Sequence, residues 1–186
     1  DSVGTEVVRV LATSKDTGVN AEIAYSIIGG NEHNKFSIHP KTGVISISEA
    51  LDYERAKEYF LTVQAKDGGD PPLSNQANVN ISVIDSNDNA PIFTQVSYNT
   101  LINENAQVNH KFFQVVANDI DSGNNGRITY SIERGDLGHF TIDSDTGYIS
   151  VASQLDRETQ SSYVLEIHAR DNGLPVLSSF IMVNIE

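Results

Sequence analysis

The stretch FSIHPKTGVIS (Phe36–Ser46) returns 104 residues later as FTIDSDTGYIS (Phe140–Ser150), with Phe, Ile, Thr, Gly, Ile and Ser in the same places. The same offset pairs LDYE (Leu51–Glu54) with LDRE (Leu155–Glu158). It also pairs YFLTVQAKDGGDPPLS (Tyr59–Ser74) with YVLEIHARDNGLPVLS (Tyr163–Ser178). Upstream, IAYSI (Ile23–Ile27) pairs with ITYSI (Ile128–Ile132) at an offset of 105, so one residue is inserted or lost in between. Self-similarity at a fixed offset means two tandem copies of one module. DSNDNAP (Asp85–Pro91) lies at the join.

Within a copy the dominant period is two. Val8, Val10 and Ala12 alternate, as do Ile23, Tyr25 and Ile27, then Leu61, Val63 and Ala65, then Val79, Ile81 and Val83. The second copy answers with Phe113, Val115, Ala117; Ile128, Tyr130, Ile132; Leu165, Ile167, Ala169; and Ile181, Val183, Ile185. Such alternation predicts half-buried strands, closed by Gly, Pro and Asx clusters. No helical period of useful length competes. The expected fold is all-β: two tandem Greek-key, immunoglobulin-like sandwiches of about seven strands each. The expected boundaries are 1–89, ending in a connector, and 90–186. Seven strands, each reversing the last, bring the chain in at one end of a module and out at the other, which predicts modules arranged end to end.

Composition narrows the function. There are 12 Lys+Arg against 25 Asp+Glu, a net charge of -13. That argues against nucleic acid, whose binding needs basic stripes to displace counterions. The balance suits a collector of cations. Hydrophobic residues make up 39%, too many for a disordered chain. They come in short runs, none approaching the ~20 apolar residues of a membrane span. Cysteine is absent, which removes disulfides and thiolate metal sites.

The acidic residues gather by this topology. The trailing end of the first copy offers Asp52 and Glu54, and the connector adds Asp85, Asn87, Asp88 and Asn89. The leading end of the second copy presents Asp119, Asp121, Asn125 and Asp171. Seven carboxylates at one junction would repel one another unless neutralised. Hard oxygen ligands without His or Cys select calcium, which accepts 6–8 oxygens in flexible geometry. An EF-hand loop does not account for them. Begun at Asp85 it would meet Ala90 and Val96 where Gly and Glu are needed, and begun at Asp119 it would meet Asn124 and Tyr130.

LDYE/LDRE, DSNDNAP, DIDSGNNG (Asp119–Gly126) and ARDNG (Ala169–Gly173), in this order, resemble the calcium signatures of cadherin extracellular repeats. The likeness covers nearly the whole chain. It implies about three calcium ions at the junction. The first would take Asp52, Glu54 and Asp88. The second would take Glu54, Asp85, the Ser86 carbonyl, Asp88 and Asp121. The third would take Asn87, the Asn89 carbonyl, Asp119, Asp121, the Asn125 carbonyl and Asp171. Family members also carry a Glu near the end of the first strand, as Glu104 does here. Its counterpart in the first copy would fall before the first residue, so the sequence reads as a fragment of a longer ectodomain. A further departure is Ser14-Lys15-Asp16, which stands where the second copy has Asp119-Ile120-Asp121.

The resemblance implies calcium-dependent cell–cell adhesion by the extracellular, glycosylated part of a single-pass plasma-membrane protein. The expected partner is another cadherin ectodomain on an apposed cell, homophilic or heterophilic. Without Trp the chain cannot perform Trp-anchored strand exchange, which favours a protocadherin-like or Fat- and Dachsous-like member. Two alternatives are a purely structural spacer and an integrin ligand acting through Arg134-Gly135-Asp136. A three-residue motif between strands is ordinarily a plain turn. No enzyme is expected, since no nucleophile–base constellation occurs and His33, His39, His110, His139 and His168 share no repeated spacing. Asn80-Ile81-Ser82 is the one glycosylation sequon, with Asn80 expected on the outer face of its strand.

Overall fold

The computed structural model describes residues 2–186. The chain divides into two compact units, the first running to Ile84 and the second covering Asp85–Glu186.

In the first unit the strands are β1 (Glu6–Arg9), β2 (Ile23–Gly29), β3 (Phe36–Ile38), β4 (Val44–Ile47), β5 (Glu58–Asp67) and β6 (Ser74–Ser82). They form two sheets, β1-β4-β3 and β2-β5-β6. Phe36, Ile45 and Ile47 from one sheet pack on Leu61, Val63 and Ile81 from the other. These are the inward positions of the alternation, and burying them is the main source of stability. β1 departs from the pattern. A bulge between Glu6 and Val8 breaks its period, leaving Val7 and Val8 38% and 40% exposed.

The second unit has β7 (Ile92–Phe93), β8 (Tyr98–Thr100), β9 (Lys111–Gln114), β10 (Ala117–Asn118), β11 (Thr129–Arg134), β12 (Phe140–Ile142), β13 (Tyr148–Val151), β14 (Tyr163–Arg170) and β15 (Ser178–Ile185). The sheets are β11-β14-β15-β8 and β12-β13-β9, with β10-β7 as a separate pair. The first strand is thus split: β7 pairs with β10, then β8 joins the other sheet. β8 runs parallel to β15, the last strand. That is the direction an odd number of alternating strands requires, so the chain enters this unit at one end and leaves at the other. Val115, Ile149, Val151, Leu165, Ile167, Val183 and Ile185 form a solvent-free core between the sheets. Truncating Ile149, Leu165, Ile167 or Ile185 to Ala would cost about 2–5 kcal/mol.

The shared Thr-Gly of the opening motif has a structural cause. Gly43 and Gly147 adopt φ of 69° and 71°, and a Cβ on either would run into the carbonyl of Val10 or Val115, just past the end of β1 or β9. Only glycine fits both demands. The turn before it is braced differently in each unit. Asp143 Oδ1 accepts from the Thr146 N–H at 2.9 Å and the Thr146 hydroxyl at 2.7 Å. In the first unit the His39 ring nitrogen accepts from the Thr42 N–H at 3.2 Å.

Candidate metal centre

Two loops and the connector build the leading end of the second unit. Strand β10 ends in the loop bearing Asp119 and Asp121, and a tyrosine holds its base: the Ala117 N–H donates to Tyr130 Oη at 2.9 Å. The first unit repeats this latch, with the Ala12 N–H on Tyr25 Oη at 2.9 Å. The β14–β15 loop bearing Asp171 is tied alongside, its Asn172 N–H donating to the Asn124 carbonyl at 3.1 Å.

The connector is bonded to both loops. Asp85 Oδ2 accepts from the Ser122 N–H at 2.7 Å and from Asn125 Nδ2 at 3.2 Å. Asn87 Nδ2 donates to Asp171 Oδ2 at 2.9 Å and to the Pro175 carbonyl at 2.5 Å. The Asn89 N–H and its Nδ2 donate to the two oxygens of Asp121 at 3.1 and 2.6 Å. Pro91 follows, fully buried, and anchors the end of the strip. Asp121 and Asp171 are 8% and 2% exposed, rare for carboxylates unless something compensates them.

The donors on hand do not satisfy this cluster. Asp85 Oδ1, Asn87 Oδ1 and Asp119 Oδ2 are buried with no hydrogen-bond partner. A carboxylate oxygen of Asp85 and one of Asp121 lie within 4.8 Å of each other. Burial, above all, pushes the Asp119 carboxyl above its ordinary range. The charges of Asp121, Asp171 and Asp85 push the same way, and the Asp121 N–H partly offsets them. Orphaned acceptors in an acidic setting are the arrangement a hard cation would complete, and every donor is oxygen. The residues present fit calcium.

The sequence-predicted residues therefore fall into groups. Asp85, Asn87, Asn89, Asp119, Asp121, Asn125 and Asp171 meet at this end of the second unit. Ser86 and Asp88 are exposed on the connector, Asp88 accepting from Asn89 Nδ2 at 2.8 Å. Asp52 and Glu54 are exposed on the β4–β5 turn of the first unit, where Asp52 Oδ1 accepts from the Arg55 N–H at 3.0 Å. The matching turn of the second unit lies at its trailing end, next to Glu104, whose Oε2 accepts from the Arg157 N–H at 3.4 Å. There the Thr159 hydroxyl, donating to Asp156 at 2.6 Å, holds the Asp156 carboxyl below its ordinary range.

Two participants escape the sequence reading. The Pro175 carbonyl receives Asn87, and Gly173 makes room for it, because a Cβ there would lie against the Asn87 amide and Asn125 Oδ1. The glycine of DNG was the available signal.

Arg134 ends β11, with its side chain 75% exposed, and Gly135-Asp136 open the β11–β12 loop. Arg134 Nε pairs with Glu166 at 2.7 Å, and Asp136 Oδ2 caps its own turn by accepting from the Gly138 N–H at 3.1 Å. His168 also bonds Glu166, at 2.9 Å, and with Arg134 it holds the Glu166 carboxyl low.

Fold and site together define a tandem β-sandwich module with an oxygen-lined, acidic connector. The cadherin domain family matches residues 1–84 and 98–186, and the chain belongs to that family. It is 53% identical over 183 residues to the Fat-like cadherin-related tumor suppressor homolog of Drosophila melanogaster, and 51% identical over 185 residues to human Protocadherin Fat 1. Those matches cover 98% and 99% of this chain but only 4% of each relative. Among solved structures, mouse Cadherin-23 EC22-24 superposes with a TM-score of 0.94 at 34% identity, covering all of this chain and 60% of that one.

Proposed function

We propose that the chain is a calcium-stiffened segment of the extracellular part of a cell-surface cadherin of Fat type, serving cell–cell adhesion or recognition. The carrying observation is the trio of buried, unpartnered oxygens on Asp85, Asn87 and Asp119, inside a carboxylate cluster that repels itself. Asp52, Glu54, Asp85, Ser86, Asn87, Asp88, Asn89, Asp119, Asp121, Asn125 and Asp171 would supply oxygens to about three calcium ions. Three divalent charges would leave one net negative charge on seven carboxylates, which supports that number. Bound calcium supplies charge neutralisation and a rigid set of oxygen contacts. The protein's own groups orient those oxygens: the Ser122 and Asp121 N–H groups, Asn125, Gly173 and the buried Pro91 do this work. By sequence the connector closes repeat 1–89 ahead of repeat 90–186, and its hydrogen bonds fasten it to the latter.

The partner in this reading is another cadherin ectodomain on an apposed cell, and the chain has no catalytic task. A single-pass plasma-membrane anchor outside these residues is part of the same reading.

Calorimetric titration tests the ligand assignment. Asp88→Ala and Asp121→Ala should each weaken calcium binding more than Asp85→Ala, because each would leave two ions short of a carboxylate. Equal losses in all three variants would overturn the assignment.

A further inference from the structure

The sequon Asn80-Ile81-Ser82 lies on β6, with Asn80 and Ser82 exposed and Ile81 turned into the core. Directly across the β5–β6 ladder from Asn80 is Phe60. Its neighbours along β5, Leu61 and Val63, point inward, so Phe60 points out and is 61% exposed. The neighbouring positions on β5 and β6 are polar, while Ile28 on β2 is also exposed, at 47%. Thr62 pairs with Asn78, donating its hydroxyl to Asn78 Oδ1 at 3.3 Å, and Gln64 pairs with Gln76. Phe60 is thus a lone aromatic on the polar β5–β6 face, facing an asparagine of acceptor type. Side chains opposite one another in such a ladder have Cβ atoms about 4.5–5.5 Å apart.

The second unit supplies a contrast at the matching positions. Val164 pairs with Asn184, but Asn184-Ile185-Glu186 is no sequon, and Asn184 Nδ2 donates to Asn99 Oδ1 at 2.9 Å. Aromatic and sequon coincide in the first unit alone.

We propose that Asn80 carries an N-linked glycan whose first N-acetylglucosamine lies over the Phe60 ring. In the transfer, Asn80 Nδ2 bonds to the sugar C1 and loses a proton. The C1–oxygen bond of a lipid-diphosphate-linked oligosaccharide breaks, and the lipid diphosphate leaves. The sugar's apolar C–H face meets the electron-rich face of the ring, which loses its exposed area. The glycan acts as a cross-strand partner for Phe60 and bars this sheet face from close protein contact. The modification needs secretory passage, so it rests on the extracellular reading above, but a chain secreted without the glycan would overturn the glycan alone.

The full chain, secreted from an animal-cell host, should yield an Asn80 peptide carrying the glycan mass, lost in Ser82→Ala. After trimming to one N-acetylglucosamine, its proton resonances should move upfield through the ring current of Phe60 and return in Phe60→Val. Removing that last sugar should raise the unfolding equilibrium constant by about two- to fivefold, the range of cross-strand aromatic pairs, in the parent and by less in Phe60→Val. An unmodified Asn80, sugar resonances at free-glycan positions, or the same loss in both proteins would overturn the proposal.

Discussion

Asp119 has two oxygens with different fates. Oδ1 accepts the Asp121 N–H at 3.0 Å and shapes the turn, while Oδ2 is buried and unpartnered. A folded-state pKa above the ordinary 3.8 means the folded protein binds this proton more tightly than the unfolded chain does. Without calcium, that contribution to stability is fully present below 3.8 and is lost as pH rises through the folded value. Chemical unfolding of the calcium-free protein across this range should show the dependence, and Asp119→Asn should flatten it; identical profiles would refute it. Ser14 offers a natural comparison. Its hydroxyl accepts the Asp16 N–H at 3.1 Å, reproducing the Oδ1 contact, but it has no second oxygen to offer a cation. In a protein that places a further repeat before this one, Ser14→Asp should raise calcium occupancy at that upstream junction. Full occupancy without the substitution would count against the idea.

Elements explain why the site stays open in shape. The β14–β15 loop turns at Gly173, and the Asn87 amide takes the space that a side chain there would fill. Gly173→Ala must displace Asn87 or Asn125. An overpacked contact of this kind costs about 1–3 kcal/mol. Chemical unfolding should register that loss, and the calcium midpoint should move to higher concentration; an unchanged titration would mean that Asn87 is not a ligand. Legibility varied at this scale. The period-two runs became β2, β5, β6, β11, β14 and β15, because each such strand buries one face and wets the other. β1 did not keep its alternation, and the first strand of the second unit broke into β7 and β8. Bulges and sheet switches are set by the pairing partner, and a single strand's pattern does not record them.

For the whole molecule, the proposed calcium would bind the folded protein and not the unfolded chain, so removing it should lower the melting temperature. Extracellular modules bind calcium at roughly 10⁻⁴–10⁻³ M, and a site held at ten times its Kd adds about 1.4 kcal/mol. Calorimetry in calcium and in chelator measures this directly. Solution scattering under the same conditions tests the stiffening: the chelated protein should sample a broader range of dimensions. Identical distance distributions in both would rule it out.

The sequence by itself determined the duplicated module, the strand period, the family and the candidate ligands, because these rest on residue type and spacing. An Asx-rich connector, paired LDxE turns and a twice-used Gly are chemical statements that need no coordinates. Only the tertiary structure decided which oxygens are used up and which are left over. Asp85 spends Oδ2 on Ser122 and Asn125 and leaves Oδ1 bare; Asn87 commits its Nδ2 and leaves its oxygen; Arg134 pairs with Glu166. Hydrogen bonds between residues some 30 to 90 positions apart depend on how loops are brought together by packed sheets, and no local pattern in the chain encodes that outcome.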